Sequence, residues 1–246
     1  MQVNPSPRER LAALGFSAQD AETLTAHFLD AEARGKLGHG LSRIDWLETL
    51  PDLRPHARPR RLVAEPGYER WDGGRALGYL TLAAICDAQL AEPPERARVV
   101  VASHCFPTGM LGWYVRTLAA GGLAAALTAT SPPRLAHPAG GEPLTGTNPL
   151  ALGIPSSDGR PLVADVSMGA VTYGDVLRGA ASAEELVPFG GPQAHKAFAL
   201  ALGLGLLVDA LAGDGYGAVL LVARPEADPV PALRAQAAGL RLPGDA

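Results

Sequence analysis

Three side chains in this 246-residue chain have the types and spacing to move a proton beside an anion: His39, Arg43 and Asp165. His39 lies between two glycines, Gly38 and Gly40, where little bulk surrounds it and the backbone is permissive. Arg43 follows four residues later, so a helix starting at once puts both on one side. Such a pair suits a small carboxylate: the guanidinium forks onto the carboxylate while the imidazole works on the neighbouring carbon. Spacing alone favours a plainer reading, a helix turn with an exposed Arg. Asp165 ends an apolar run, Leu162 to Ala164, beside Ser167 and Gly169. An Asp there is by default a helix or turn cap. His27 lies beside the apolar face of a helix and reads as a packed or solvent-edge residue rather than a ligand.

Two further stretches have chemical groups at the ends of elements. An apolar strand, Arg98 to Ala102, leads into Ser103-His104-Cys105-Phe106, and strand ends often line sites. A turn Ser and a Cys acting as a small hydrophobe explain the same residues. Gly190 and Gly191 precede a helix that starts with His195 and Lys196, an arrangement able to hold a phosphate on backbone amides and a Lys charge. A connecting loop explains the two glycines equally well. The chain has no Walker motif, no Gly-x-Gly-x-x-Gly between a strand and a helix, no Gly-x-Ser-x-Gly and no His-Glu-x-x-His.

The elements that must position these groups are legible in the periodicity. Helices are predicted over Pro7–Leu14, Ala18–Arg34 (opened by Ser17 with Asp20 in a box-like spacing), Leu41–Leu50, Ala76–Leu90, Leu111–Ala120 and Pro229–Gly239. Strands are predicted over Arg61–Glu65, Tyr68–Trp71, Arg98–Ala102, Leu123–Thr128 and Gly217–Ala223. Leu150–Ile154 and Leu162–Ala164 read as two strands joined by the Pro155–Pro161 turn. The apolar stretch Ala197–Ala212 holds Asp209 and two glycines and is short for a spanning helix, so it reads as a buried core helix. Alternating helix and strand argue for a mixed α/β sheet.

Composition bounds the function. Hydrophobic residues are 47% and charged residues 19%, which supplies a large core. A net charge of -4 with no Lys/Arg stripe argues against nucleic acid. Cys86 and Cys105 have no metal-ligand spacing and form no disulfide framework, and the polar start MQVNPSPRERL has no leader pattern. The expectation is a cytoplasmic protein with no membrane partner and no metal.

Several pieces together resemble the type 2 malate/L-lactate dehydrogenase family, which includes cyclic-imine reductases. RGKLGHGLSRIDWLETL is similar to its Arg-Gly-x-x-Ser-His-Gly-x-x-Arg element, and VVASHCFPTGMLGWYV to its Ser-(Asn/His)-His-Phe element. GGEPLTGTNPLALGIP matches its most recognisable signature; LVADVSMG resembles its strand ending in Asp-Met-Ala-Thr-Ser. VPFGG with HKAFALAL and the tail GLRLPGD follow in the family's order, so the resemblance runs nearly end to end. It implies a largely antiparallel, non-Rossmann α+β sheet flanked by helices. The whole of 1–246 would be a single unit, with a helical part to about residue 60 and a sheet core beyond it. It also implies a homodimer that binds NADPH or NADH and reduces a small 2-oxo or cyclic 2-imino acid. By the same resemblance His39 supplies the proton, Asp165 orients it, Arg43 holds the carboxylate, and Thr147 and Asn148 line the pocket. Ser103, His104, Thr130, Gly190, Gly191, His195 and Lys196 would lie along the cofactor.

The chain departs from the pattern at defined places. Gly38 replaces the Ser before the catalytic His, and Cys105 stands where the element has His. Most of a segment is missing between Val176 and Val187, and Pro192-Gln193-Ala194 separates the Gly pair from His195-Lys196. The stretch after the apolar helix is also short. Damaged cofactor elements beside an intact His-Arg-Asp set keep a second function open: proton transfer without redox, in a cyclisation, dehydration or isomerisation of a biosynthetic pathway. A catalytically dead interaction subunit is the third class, and the intact set argues against it.

Overall fold

Ser6 and Glu9 close a reciprocal capping box, and Pro7 takes the first helical position of α1 (Pro7–Ala13). The computed structural model describes residues 5–245; Met1–Asn4, part of the polar start, lie outside them. The Ser17 hydroxyl accepts from the Asp20 N–H at 3.1 Å and so caps α2 (Ala18–Ala33). Asp20 does not return the bond to the backbone, but takes the Ser17 hydroxyl at 2.6 Å and Arg58 at 2.9 Å. A 3-10 turn, Leu37–His39, precedes α3 (Ser42–Glu48). The helix therefore does not start directly after His39: Gly40 is extended, and Glu32 accepts the Leu41 N–H at 2.9 Å. Leu11, Leu24, Phe28, Ile44 and Leu47 pack these helices against Leu77, Tyr79 and Leu80.

The rest of the chain builds a sheet. In order come β1 (Arg60–Glu65), β2 (Tyr68–Asp72), α4 (Gly78–Ala91), β3 (Ala97–Ser103), α5 (Leu111–Ala120), β4 (Ala124–Ala129), β5 (Leu150–Ile154) and β6 (Leu162–Val166). Then come α6 (Tyr173–Leu177), α7 (Ala194–Ala212), β7 (Ala218–Ala223) and α8 (Val230–Gln236). The seven strands lie in the order β1-β2-β3-β7-β4-β5-β6, and only β2 and β3 run parallel. This is the mixed, mostly antiparallel sheet implied by the sequence. β5 and β6 form the expected hairpin, with Ala151 opposite Asp165.

Alternation along the strands separates two faces. Val100, Ala102, Leu127, Leu220 and Val222 pack under Leu82, Ile85, Leu111, Tyr114 and Leu118 of α4 and α5. On the other face Val101 and Val219 meet Val208 and Ala212 of α7. Here the sequence expectation is corrected: α7 is not a buried core helix. One stripe, Ala197, Phe198, Ala201, Gly205, Val208 and Ala212, faces the protein, while Leu200, Leu206, Leu207 and Leu211 are exposed. Its mean hydropathy and length, measured over Gly191–Ala212, match those of a membrane span. Composition reports how apolar a helix is, not which sides have neighbours. The short α6 was not anticipated, although Thr172 and Asp175 form a capping box that marks its start.

Candidate active site

The loop after β3 and the ends of β4 and β6 enclose a small cavity of about 120 Å³ with the Leu37–His39 turn and α3. His39, Arg43, Thr130, Thr147 and Asp165 all line it, joined by Lys36, Arg134 and Tyr173. The loop wall is fixed by buried groups. Tyr79 donates its backbone N–H to Pro107 O at 3.0 Å, and the Tyr114 hydroxyl donates to Thr108 O at 2.8 Å. His27 accepts the Met110 N–H on Nε2 at 3.0 Å, inside a nest of Phe28, Tyr79, Trp113 and Tyr114 rings. The packed reading of His27 is the one the structure adopts.

The wall opposite the loop is set by two glycines. A Cβ on Gly174 would fall inside the Gly38 carbonyl oxygen, and one on Gly38 would lie 2.8 Å from the Asp175 Oδ1 and Thr172 Oγ1. Glycine at position 38 therefore lets α6 seat its N-terminus directly on the His39 turn.

Arg43 is buried, with Nε and Nη1 bonded to nothing, and its guanidinium carbon lies 5.0 Å from the Trp46 ring centre. His39 keeps partial exposure while its Nδ1 is enclosed and unpartnered. No hydrogen bond joins it to Asp165 among the described residues. Asp165 instead accepts the Gly112 N–H at 2.8 Å, capping the start of α5 from across the fold. The cap reading of Asp165 was right in kind; the helix it caps is remote in sequence. A Cβ on Gly112 would come within 2.9 Å of that carboxylate, so glycine there permits the approach. Burial raises the Asp165 pKa, against the Gly112 bond and the charges of Lys36 and Arg116.

Burial also pushes His27 down to about 3, helped by the charges of His39 and Arg116. It pushes His39 down to about 4, helped by Arg43 and Lys36 and opposed by Asp175. Both imidazoles are thus neutral in the fold at neutral pH. Their ordinary value is 6.5, so below it the unfolded chain binds more protons than the folded one. This stability is complete above pH 6.5 and is lost as pH falls toward 4 and then 3. The thermal midpoint is expected to drop between pH 7 and pH 5. His27→Gln, which keeps an acceptor for Met110, is expected to flatten that slope; an unchanged slope in melts followed by circular dichroism would refute the assignment.

The residues assigned by resemblance to the cofactor are not brought together. Ser103 is buried with its hydroxyl directed to Trp71 O at 3.4 Å. His104, at φ 51°, pairs through Nδ1 with Asp72 Oδ1 at 2.9 Å, and this bond with the Gly74 N–H holds Asp72 down to about 2. Gly190, Gly191, His195 and Lys196 are exposed at and just before the start of α7 and line no part of the cavity. Asn148 is also outside it: its amide donates to Thr145 Oγ1 and Ala201 O, both at 2.9 Å, tying the turn to α7.

A second cleft, about 630 Å³, shares Thr130 and Ser131 with the cavity. The Ser131 hydroxyl is enclosed without a partner, a group that would fit the carboxamide end of a nicotinamide. The charged residues of this cleft are Asp209 and Asp214, and among the described residues no Lys or Arg lines it. It fits the ring end of such a cofactor and brings no cation to its phosphates. Sequence reasoning missed Lys36, Ser131, Arg134 and Tyr173. Arg134 follows a Ser-Pro-Pro turn with no recognisable pattern, and only the Leu135–Thr145 bridge brings it to the cavity.

A sequence profile described as malate/L-lactate dehydrogenase matches residues 6–186. The chain is 33% identical over 191 residues to a (2R)-3-sulfolactate dehydrogenase (NADP(+)) of Chromohalobacter salexigens, covering 73% of this chain and 55% of that protein. It is 28% identical over 241 residues to a delta(1)-pyrroline-2-carboxylate reductase of Ancylobacter novellus, covering 87% and 70%. The chain thus spans little more than half the length of the first of these relatives. Among solved structures, a dehydrogenase from Sinorhizobium meliloti superposes with a TM-score of 0.80 at 26% identity, over 97% of this chain and 86% of that one. A delta1-piperideine-2-carboxylate reductase from Pseudomonas syringae pvar. tomato shares the fold, with a TM-score of 0.83 at 22% identity over 97% and 88%.

Proposed function

The chain belongs to the malate/L-lactate dehydrogenase family, and from that premise we propose that it is an NAD(P)H-dependent reductase of a small 2-oxo or cyclic 2-imino carboxylate. One observation carries the reading: a buried guanidinium with two free N–H-bearing nitrogens shares a small cavity with a mostly buried imidazole. Arg43 binds the substrate carboxylate and orients the adjacent carbon. When bound, the cofactor supplies hydride to that carbon. His39 gives the proton to the oxygen or nitrogen of the reduced bond. A carboxylate on Arg43 cancels one of the charges that depress His39, so substrate binding itself favours the protonated imidazole. Asp165 adds negative charge to the same cavity and fixes the start of α5 behind it.

The exposed leucines of α7, with Leu152, Val166 and Leu221 on the same sheet face, support a homodimer that covers them. Light scattering at micromolar protein would give the mass of a dimer; a monomer rejects it. Buried Cys86 and Cys105, both free thiols, support the reducing, cytoplasmic setting.

The acidic lining of the second cleft favours the other reading, proton transfer without redox. Titration of the protein with NADPH and with NADH, by calorimetry and cofactor fluorescence, separates the two. Saturable binding followed by turnover of a 2-oxo acid supports the reductase. No binding of either nucleotide to folded protein, with or without a carboxylate present, rejects it.

A further inference from the structure

A proton donor must carry its proton before substrate takes it, and His39 stands among positive charges. Lys36, Arg43 and Arg134 line its cavity, and Asp165 is the only carboxylate in that wall among the described residues. Asp165 is already engaged by the Gly112 N–H, and burial raises its pKa. The His39 Nδ1 is enclosed and bonded to nothing. Three helices pack on the Leu37–His39 turn: α2, α3 and α6. From α2 come His27, held neutral by burial, and Glu32, whose carboxylate takes the Leu41 N–H at 2.9 Å. From α3 comes Arg43. From α6 come Asp175, its partner Arg178 and the Tyr173 ring.

The approach of α6 fixes one of these groups beside the turn. A Cβ on Gly38, the residue before His39, would lie 2.8 Å from the Asp175 Oδ1 and 2.9 Å from the Asp175 nitrogen. The carboxylate thus borders the space that a side chain at position 38 would fill. It is held there from both sides. Its Oδ2 accepts the Thr172 hydroxyl at 2.6 Å and the Thr172 N–H at 3.3 Å, and its Oδ1 accepts the Arg178 Nε–H at 3.3 Å. Burial acts to raise the Asp175 pKa, but these bonds outweigh it and hold the group below its ordinary 3.8. Asp175 is therefore a fixed negative charge at neutral pH. A capping box accounts for the Thr172 bonds. It does not require α6 to lie on the His39 turn, and that placement brings the charge to the imidazole. Burial most of all, then Arg43, disfavours a proton on His39, and Lys36 adds to this; Asp175 favours it.

We propose that Asp175 is a positioning residue for proton transfer, a carboxylate that α6 lays against the turn of His39 and that supports the positive charge of its imidazolium. Asp165 acts from within the cavity wall; Asp175 lies outside that lining and acts on the reaction through His39. In reduction the proton passes from His39 to the oxygen or nitrogen of the reduced bond. The neutral imidazole then regains a proton from solvent, and Asp175 favours that return. This rests on the reading of His39 as the proton donor.

The test is Asp175→Asn in the whole protein. It is compared with wild type by NMR titration of the His39 imidazole, assigned with His39→Gln, and by the pH-rate profile of NADPH-dependent pyruvate reduction. The Asn oxygen still accepts a Thr172 bond, so the α6 cap is largely kept. D175N is expected to move the His39 midpoint down by about half a pH unit or more, about a threefold fall in the protonated fraction at neutral pH. Turnover at neutral pH should fall by the same factor and the alkaline limb should move to lower pH. The KM for pyruvate and the thermal midpoint should stay unchanged, and Asp175→Glu should restore part of the loss. Arg178→Met, which frees Asp175 from its ion pair, should move the His39 midpoint upward. A folded D175N with an unmoved His39 titration overturns the proposal, whatever its turnover or thermal midpoint, and leaves Asp175 a helix cap. Where D175N does not fold, an unmoved titration in R178M overturns it. The titration needs no turnover: a downward shift in D175N without any reduction of pyruvate upholds Asp175 as the support of His39 and counts against the redox reading alone.

Discussion

Replacing His39 by Ala is expected to lower kcat by about a thousandfold, within the range of about 10²–10⁴ for a positioned acid/base group. The fold should tolerate the change. The Nδ1 of His39 is enclosed and bonded to nothing, so its removal leaves no orphaned partner. Loss of an imidazole held well below its ordinary pKa also removes an acid-labile element. Calorimetric binding of nucleotide should be unchanged while turnover disappears. Turnover within about threefold of wild type would reject His39 as the acid/base group. Asp165→Asn is the companion measurement. An Asn oxygen still accepts the Gly112 N–H, so the α5 cap survives while the charge is lost. A fall of about tenfold in kcat, one pKa unit's worth of interaction, is expected with an unchanged thermal midpoint.

Arg43→Ala is expected to lower kcat/KM by at least about 30-fold, mainly through KM, because about 2–5 kcal/mol rides on a buried, forked charge contact. Arg43 is 8% exposed, and its Nε and Nη1 have no protein partner, so the contact is free for substrate. A second effect distinguishes this role from mere packing on Trp46. The Arg43 charge is the largest cause, after burial, of the low His39 pKa. Without it the His39 pKa rises, and the alkaline limb of the pH-rate profile for reduction, where the donor loses its proton, should move upward. A stability loss with unchanged KM and an unshifted profile would leave Arg43 a structural residue.

Much of this protein is written locally. Ser6 with Glu9 and Ser17 with Asp20 announce the first helices, since capping depends on residues three apart. Period-two apolar runs bounded by turn residues announce the strands, and the β5–β6 hairpin followed from two runs and one Pro/Gly turn. His39, Arg43, Thr147 and Asp165 were legible as chemical groups because their motifs survive as contiguous strings.

What only the tertiary structure decided involves partners far apart in sequence. Asp165 was a cap without a visible helix until the β6 end met Gly112, because a carboxylate's partner is chosen by approach and not by spacing. The segment holding Gly190, Gly191, His195 and Lys196 read equally as a phosphate cradle or a connecting loop, and the fold leaves it exposed at the start of α7, outside the cavity of His39 and Arg43, since a string of residue types carries no direction. The helix that looked buried is half bare for the same reason. Arg134 joined the cavity wall only when one bridge and one aromatic ring fixed where its charge lies. Sequence by itself determined which elements form and which side chains have the chemistry. The fold determined which of those side chains share one cavity, because burial and unpaired charge are properties of the space between elements.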